Sequence, residues 1–398
     1  MKSIINLVGN EAKIFARTFE HEAYDQIKKL INFEAYQNQK IRIMPDAHAG
    51  KGCVVGTTMQ IADKITPNLV GVDIGCSMLT VKLKVKELDF EQLDTIIKNR
   101  VPAGFNVHSR SSVHRPKEFD FTNLRCKKHV DLNRAMLSLG SLGGGNHFIE
   151  LGKSDLTGEL FLIIHSGSRK LGGDTCKYYQ DLAFQNVNEM VKVKEKLVRE
   201  LKAAGRAKDI ETELKKLTKP SADKELAFLE GADFQDYIND VDIVQKFASE
   251  NRKKMAEIIL KGMKIQADSS FETIHNYIDV KRMILRKGAV SSELGEIILI
   301  PINMRDGSLV CKGKGNQDWN YSAPHGAGRL MSRTVAKQSI LMDDFKDSMV
   351  GIYSTSINIH TLDEAPQAYK PISEIMELIT DTADVIDVIK PLYNFKAH

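Results

Sequence analysis

The chain has 398 residues, of which 42% are hydrophobic and 27% are charged, and its formal net charge is +4. This is ample material for a large packed core, and the small positive excess permits an anionic partner without requiring one. No apolar run approaches the roughly 20 residues that a membrane helix needs, which argues against a membrane protein.

The cysteines indicate a reducing environment. Five are present, with no CxxC pair and no even framework. Such usage favours thiols that are buried or bound to metal over disulfides. The N-terminal segment carries charges and lacks a long apolar run, so no secretory signal is evident. The sequence therefore predicts a soluble cytoplasmic protein.

Short strands and glycine-rich turns alternate with helices in the first part of the chain. Leu79, Val81, Leu83 and Val85 alternate with polar residues, a pattern typical of a half-buried strand. In chain order the predicted elements are a helix over 20–33, a strand from 41 that ends at Pro45-Asp46 before a loop with His48, the strand 79–85, a helix over 87–100 and a buried strand over 160–164.

Residues 176–260 are almost free of glycine and rich in Lys, Glu, Leu and Ala, which predicts a helical hairpin. The last third returns to strands and short helices, with a strand over 297–300 and helices over 331–338 and 372–382. Because strands and helices follow no βαβ repeat, we expect a mixed α+β fold around one large core. The whole chain, 1–398, is interpreted as one domain, with 176–260 as a helical insertion.

A histidine turn stands out in the sequence Ser322-Ala323-Pro324-His325-Gly326-Ala327-Gly328-Arg329. Proline restricts the backbone before the histidine, and the glycines after it allow a sharp turn and a close approach to a ligand. Backbone N–H groups of such a turn can cradle phosphate, and an imidazole nitrogen can attack phosphorus. A tight surface turn with an incidental histidine explains this stretch alone equally well.

Five further residues have the chemistry of metal ligands. They are one carboxylate, one thiol and three imidazoles: Asp73, Cys76, His147, His165 and His275. The first four lie at glycine-rich turns or at the ends of predicted elements. This is more than one tetrahedral site needs, so the set suggests a two-metal cluster bridged by Cys76. Thiolate and imidazole suit zinc, but ligand chemistry alone does not choose the ion. Each histidine taken singly is more often a hydrogen-bonded core or turn residue.

The motifs together resemble the RtcB family of RNA-splicing ligases. They occur in the family's order and run nearly end to end: MPDAHAGKG, VGVDIGCSM, LGGGNHFIE, HSGSR, HNY from His275, RKGAV, HGAGR and DEAPQAYK. The resemblance implies an RtcB-like fold. It also implies a GTP-dependent RNA ligase that joins 2′,3′-cyclic phosphate or 3′-phosphate ends to 5′-hydroxyl ends, in RNA repair or tRNA splicing.

The resemblance also assigns residues and partners. It implies a guanylate carried by His325, two Mn²⁺ ions on the five ligands above, an RNA substrate and an archease-type activator. Glu150 would read guanine, Tyr369 would lie against the base, and Lys396 would reach its O6. The implied nucleotide-binding residues are Asn146, His147, Phe148, Ile149, Glu150, His275, Asn276, Pro301, Ile302, Asn303, Met304, Ser308, His325, Gly326, Ala327, Gly328, Tyr369 and Lys396, and Arg169 is a candidate for RNA phosphate.

This chain departs from the family pattern at three places. Residues 302–306 read INMRD where the family usually has Gly-Ser-Met-Gly, Ser322-Ala323-Pro324 replaces a Cys-Ser pairing, and Ala397 follows Lys396 in place of a terminal glycine. The first change motivates one alternative, a metal-dependent RNA phosphoesterase that processes ends without ligation. The basic hairpin motivates another, a non-catalytic RNA-binding subunit.

Overall fold

The computed structural model describes residues 3–7, 10–17, 20–114, 119–216 and 224–397. Helices and strands are interleaved along these ranges, so the predicted mixed α+β fold is confirmed. The helices are α1 His21–Ile31, α2 Phe90–Arg100, α3 Leu132–Ser138, α4 Arg169–Ala203, α5 Ile210–Lys216, α6 Gly231–Met263, α7 Arg333–Ser339, α8 Met342–Ser348 and α9 Ile372–Leu378.

The strands are mostly short. They are β1 Ser3–Leu7, β2 Asn10–Ile14, β3 Ile41–His48, β4 Val55–Gln60, β5 Lys64–Ile65, β6 Ser77–Leu83, β7 Phe148–Ser154, β8 Leu160–Ser166, β9 Leu229–Glu230, β10 Ala267–Ile274, β11 Asn276–Asp279, β12 Ile284–Lys287, β13 Ala289–Ser291, β14 Ile297–Asn303, β15 Gly307–Gly313, β16 Ser322–Pro324 and β17 Ala383–Lys396.

Two large sheets organise the described residues. The first is antiparallel throughout and has the order β10-β6-β8-β7-β17-β15-β14. The second has the order β1-β2-β3-β4-β12-β11, with one parallel pair between β2 and β3. Strands β10 and β11 are separated by a single residue, His275, so the chain passes from one sheet to the other at that residue.

Apolar packing joins the sheets to the long helices. One cluster sets Leu79, Ile149 and Leu162 of the first sheet against α2 and α6, through residues such as Ile97 and Met255. Burying these side chains removes apolar surface from water at roughly 25 cal/mol per Å². Helix α2 is also capped, because the Asp89 carboxylate accepts the N–H of Gln92 at 3.0 Å.

The helical prediction for the middle of the chain is matched by α4, α5 and α6. Helices α4 and α6 contact each other, with the rings of Tyr179 and Tyr237 at 5.0 Å between centroids. Helix α6 buries residues along its length, from Phe234 to Met263, so it is part of the core. That residues 176–260 form an insertion within a single domain stays a prediction.

Two strand predictions differ from the structure. Strand β3 continues past Pro45 to His48, and its pairing with β4 shifts register between Ile43 and His48. This irregularity accommodates a proline, which has no N–H to donate. Strand β6 is buried on both faces, with Thr80 fully buried, because the sheet is covered on both sides and not on one.

Candidate active site

Adjacent strands of the first sheet bring the predicted metal ligands together at one end of these strands. Cys76 precedes β6 and His147 precedes β7, while His165 lies near the end of β8, which pairs with both strands. The N–H of His275 donates to the carbonyl of Cys76 at 3.0 Å. Sheet register therefore makes neighbours of residues that are far apart in sequence.

The ligand atoms lie within bonding range of a shared ion. Cys76 Sγ is 3.1 Å from His165 Nε2 and 3.5 Å from His147 Nε2. These separations are close to the edge of a tetrahedron with metal bonds of 2.0–2.3 Å, about 3.3–3.8 Å. The atoms form two groups that share the thiol, namely Cys76, His165 and His275, and Asp73, Cys76 and His147. We call these five residues the ligand cluster.

Backbone contacts orient the imidazoles. Nδ1 of His147 bonds to the carbonyl of Leu142 at 2.9 Å, and Nδ1 of His165 bonds to that of Asn146 at 3.1 Å. With Nδ1 protonated and donating, each Nε2 has a lone pair for a cation. The donor set and its geometry therefore fit a bound metal.

Burial sets the protonation of the cluster. It lowers the pKa of His165 and His275 well below the ordinary value, with help from neighbouring imidazoles, so both are neutral. It raises the pKa of the Cys76 thiol, as does Asp73, so a bound cation would replace the thiol proton. Burial also opposes ionisation of Asp73, but His147 outweighs it and holds the pKa of Asp73 at about 2.

Helix α6 supports the loops that carry these ligands. The buried guanidinium of Arg252 donates to the carbonyls of Gly75 and Ser166 at 2.8 and 2.6 Å. Asn251 accepts the N–H of Gly140 at 2.7 Å and donates to the carbonyl of Gly167 at 3.1 Å. Sequence reasoning missed both, since a polar residue in a charged helix gives no sign of the loop it meets.

His325 lies beside the ligand cluster, with its ring 5.0 Å from that of His275 between centroids. Its Nδ1 is 2.6 Å from Oδ2 of the fully buried Asp46 on β3. The same oxygen accepts the backbone N–H groups of His325 and Gly326 at 3.0 and 3.2 Å. A carboxylate only accepts, so Nδ1 carries the proton and Nε2 keeps its lone pair.

A glycine allows this close packing. Gly328 has φ +74°, and a Cβ there would lie 2.4 Å from the carbonyl oxygen of Asp46. Only glycine fits both the backbone angle and the space. The turn that follows His325 is therefore packed against β3, whereas the sequence predicted only a sharp turn that could approach a ligand closely.

A cavity of about 550 Å³ opens next to His325. Its lining includes most of the residues predicted for the nucleotide: Asn146, Phe148, Glu150, Pro301, Ile302, Asn303, Met304, Ser308, His325, Gly326, Ala327, Gly328, Tyr369 and Lys396. A smaller recess borders His275 and Asn276 beside the ligand cluster. The side chain of Ile149 is not brought to the cavity, because strand alternation turns it into the core on the opposite face of the sheet.

The part of the cavity lining formed by Phe148, Glu150, Glu364, Asn394 and Lys396 is here called the base end. Lys396 and Glu364 form a close buried ion pair, and the hydroxyl of Tyr369 donates to the same carboxylate at 2.7 Å. Burial would raise the pKa of Glu364, but Lys396 and Arg333 outweigh it and hold that pKa at about 2.

Glu150 differs from Glu364 although both are buried. Burial raises the pKa of Glu150 to about 8, and Asn394 and Lys396 only partly oppose the rise. A carboxyl with this pKa is poised to change its protonation when a ligand offers hydrogen-bond donors. Sequence reasoning missed the contributions of Glu364 and Asn394, although Asn394 lies two residues before Lys396 on the same strand.

Two further residues singled out in the sequence, Asn303 and Arg169, have local structural roles. Asn303 accepts the N–H groups of Arg305 and Asp306, both at 2.9 Å, and so closes the turn between β14 and β15. Arg169 donates to the carbonyl of Gly104 at 2.9 Å and to Oγ of Ser141 at 3.2 Å. Its guanidinium thus supports the glycine-rich loop, and contact with RNA phosphate stays a prediction.

These features describe a metal-dependent enzyme that acts on a nucleotide. His325, whose Nδ1 bonds to Asp46, lies beside a thiol–imidazole cluster and lines a cavity of polar and apolar residues. The sequence model of the family described as tRNA-splicing ligase RtcB matches residues 26–128 and 118–397. The chain belongs to the RtcB family of RNA ligases, as its motifs predicted.

Relatives of known function cover nearly the whole chain. The RNA-splicing ligase RtcB of Escherichia coli K12 is 29% identical over 388 residues, covering 88% of both chains. The tRNA-splicing ligase RtcB of Aeropyrum pernix is 24% identical over 465 residues, covering 92% of this chain and 90% of its own. The RNA-splicing ligase RtcB2 of Escherichia coli ATCC 25922 is 24% identical over 402 residues, covering 90% and 88%.

Family membership has direct consequences. The RtcB family consists of GTP-dependent ligases that join RNA 3′-phosphate and 5′-hydroxyl ends, so membership implies GTP, a metal ion and an RNA substrate. Among the described helices, none is sufficiently long and apolar to traverse a lipid bilayer.

Proposed function

We propose that this chain seals RNA through a guanylate carried on Nε2 of His325. The observation that carries the proposal is the hydrogen bond from Nδ1 of His325 to the buried Asp46 carboxylate at 2.6 Å. It fixes the tautomer in which Nε2 is the nucleophile, and it holds the ring near the ligand cluster. Orientation of a histidine by a carboxylate is a general device in nucleophilic catalysis.

The first step forms a bond between Nε2 of His325 and the α-phosphorus of GTP. The bond from that phosphorus to the oxygen bridging to the β-phosphate breaks, and pyrophosphate leaves. The imidazole becomes positively charged while Nδ1 keeps its proton, and Asp46 offsets that charge. Transfer of this kind depends on positioning and charge neutralisation more than on acid–base groups.

The next steps return His325 to its starting state. An oxygen of the RNA 3′-phosphate attacks the guanylate phosphorus, the bond to Nε2 breaks, and the RNA end carries the guanylate. The 5′-hydroxyl of the second RNA then attacks the 3′-phosphorus, loses its proton, and GMP departs. A 2′,3′-cyclic phosphate end enters the sequence once it has been opened to a 3′-phosphate.

The ligand cluster would hold two Mn²⁺ ions that share Cys76. Asp73 and His147 complete one group, and His165 and His275 complete the other. When bound, the ions offset negative charge on the phosphate oxygens. Asn146 lies beside this cluster, where its amide can orient a phosphate.

The nucleotide would lie in the cavity of about 550 Å³. Backbone N–H groups of Ala327 and Gly328 are suited to phosphate oxygens. Glu150 would accept hydrogen bonds from guanine, and Tyr369 would lie against the base. The Lys396 ammonium would donate to guanine O6, either while it also keeps its ion pair with Glu364 or after that ion pair has broken.

Labelling with α-³²P-GTP and Mn²⁺ tests the proposal. The wild type should acquire an acid-labile label, and His325→Ala should not. His21→Ala is the matched control, since His21 is exposed on α1. The labelled protein should then join RNA ends with a cyclic phosphate and a 5′-hydroxyl.

End processing without GTP and without a joined product would instead identify a phosphoesterase. Need for an archease-type activator stays a prediction, to be tested by adding one to the same assay.

A further inference from the structure

A cross-strand pair at the base end has unused hydrogen-bonding capacity. Glu150 on β7 lies directly opposite Asn394 on β17 in an antiparallel pairing. Phe148 and Lys396 form the next pair on the same face, which is the face that lines the cavity. Side chains of opposed residues point to the same side of a sheet, so the Glu150 carboxyl and the Asn394 amide reach the cavity together.

The side chains of Glu150 and Asn394 are buried and hydrogen-bonded to each other. Their residues are 3% and 1% exposed. Nδ2 of Asn394 donates to Oε2 of Glu150 at 3.0 Å, which orients both groups. Among the described residues, Oε1 of Glu150 and Oδ1 of Asn394 have no hydrogen-bond partner. Buried acceptors are normally paired, so this arrangement points to a ligand that brings N–H donors.

We infer that Asn394 reads the 2-amino group of guanine and is a specificity-determining residue beside Glu150. The inference rests on the proposed binding of a guanine nucleotide in this cavity. Guanine has three N–H donors on one edge, one at N1 and two on the 2-amino group. The carboxylate of Glu150 accepts the N1–H and one amino hydrogen, and Oδ1 of Asn394 accepts the second amino hydrogen.

Recognition by Glu150 and Asn394 together predicts a different ligand preference from recognition by Glu150 alone. A site with only Glu150 would tolerate a methyl group on the 2-amino nitrogen, since the methyl can turn away while the remaining hydrogen stays bonded. When Asn394 also accepts, both hydrogens of the 2-amino group are hydrogen-bonded. A methyl group in place of either hydrogen therefore removes one of these two bonds. Leaving a buried acceptor unpaired lowers affinity markedly.

Calorimetry on the wild type with unreactive monophosphates tests this without any substitution. GMP should bind at least about tenfold more tightly than either IMP, which lacks the amino group, or N²-methyl-GMP. Equal binding of GMP and N²-methyl-GMP would overturn the inference. Because monophosphates are not transferred to His325, the result does not depend on the labelling reaction.

Asn394→Leu separates recognition from support of the fold. It should weaken GMP about tenfold more than IMP, because IMP loses only the orientation that Asn394 gives to Glu150, whereas Asn32→Leu, at an exposed position, should change the affinity for neither. An equal loss for GMP and IMP would show a structural role only and overturn the assignment. If GMP discrimination is present but His325 is never labelled, the proposed ligase function fails and this inference stands. If His325 is labelled without discrimination, the inference alone fails.

Discussion

Two regions of the active site, the ligand cluster and the base end, are built on different principles. At the ligand cluster, the donor atoms of each group of three ligands already lie within 4.8 Å of one another, and backbone carbonyls orient His147 and His165. At the base end, Oε1 of Glu150 and Oδ1 of Asn394 are buried and have no hydrogen-bond partner among the described residues. In the proposed function, the ligand cluster would set the chemistry and the base end would set which nucleotide is held. Substitutions in the two regions should therefore differ in kind: loss of rate at the ligand cluster and loss of affinity at the base end.

The largest effect should come from Cys76→Ala. This change removes the thiol common to both ligand groups. A catalytic metal contributes several kcal/mol of charge stabilisation, so labelling of His325 should fall by about 10³-fold. Metal content by mass spectrometry should fall with it. Cys311→Ala, a buried thiol of β15, is the matched control. Full metal occupancy in Cys76→Ala would count against the shared ligand.

The next effect should come from Asp46→Asn. The amide can no longer hold the proton on Nδ1 as a carboxylate does, so the labelling rate should fall by at least about 10²-fold. Metal content and GMP affinity should stay near the wild type. The buried Asp94→Asn, remote from this contact, serves for comparison. An unchanged labelling rate would mean that Nδ1 is not the oriented nitrogen.

At the base end, Glu150→Gln should act on affinity and on its pH dependence. The free carboxyl has a pKa of about 8 and must lose its proton to accept both guanine donors. GMP affinity of the wild type should therefore rise as pH increases from 6.5 to 8.5, by up to about tenfold per unit below the pKa. Glu150→Gln should bind about 10- to 100-fold more weakly at pH 8.5, with a flat profile. A flat wild-type profile in calorimetry would break this part of the comparison.

The smallest effect should come from Asn303→Ser, which restores the family's residue in the turn after β14. Loss of the bond from Nδ2 to Asp306, 2.8 Å long, should lower stability by about 1 kcal/mol. GMP affinity should change less than about threefold, because the wild-type side chain is occupied within the turn. Thermal unfolding and calorimetry measure the two quantities. A large gain in affinity would mean that a serine contact is missing from this chain.

Much of the ligand cluster could be predicted from the sequence, because four of its residues lie at glycine-rich turns or element ends and all five lie in motifs shared with the family. The partner of His325 could not, since Asp46 is 279 residues away and reaches it only through packing of β3 against the turn. The sequence instead indicates a strand that ends at Pro45-Asp46. The role of Asn394 depends on the register of β17 against β7, which alternation within one strand does not reveal.

The atom that carries the guanylate tests the central claim most directly. Protein with ¹⁵N-labelled histidine, loaded from GTP, can be examined by ³¹P–¹⁵N correlation NMR. We predict a phosphorus–nitrogen bond at Nε2 of His325, with Nδ1 still protonated towards Asp46. Phosphorus on Nδ1, on another histidine, or on no histidine would contradict the account.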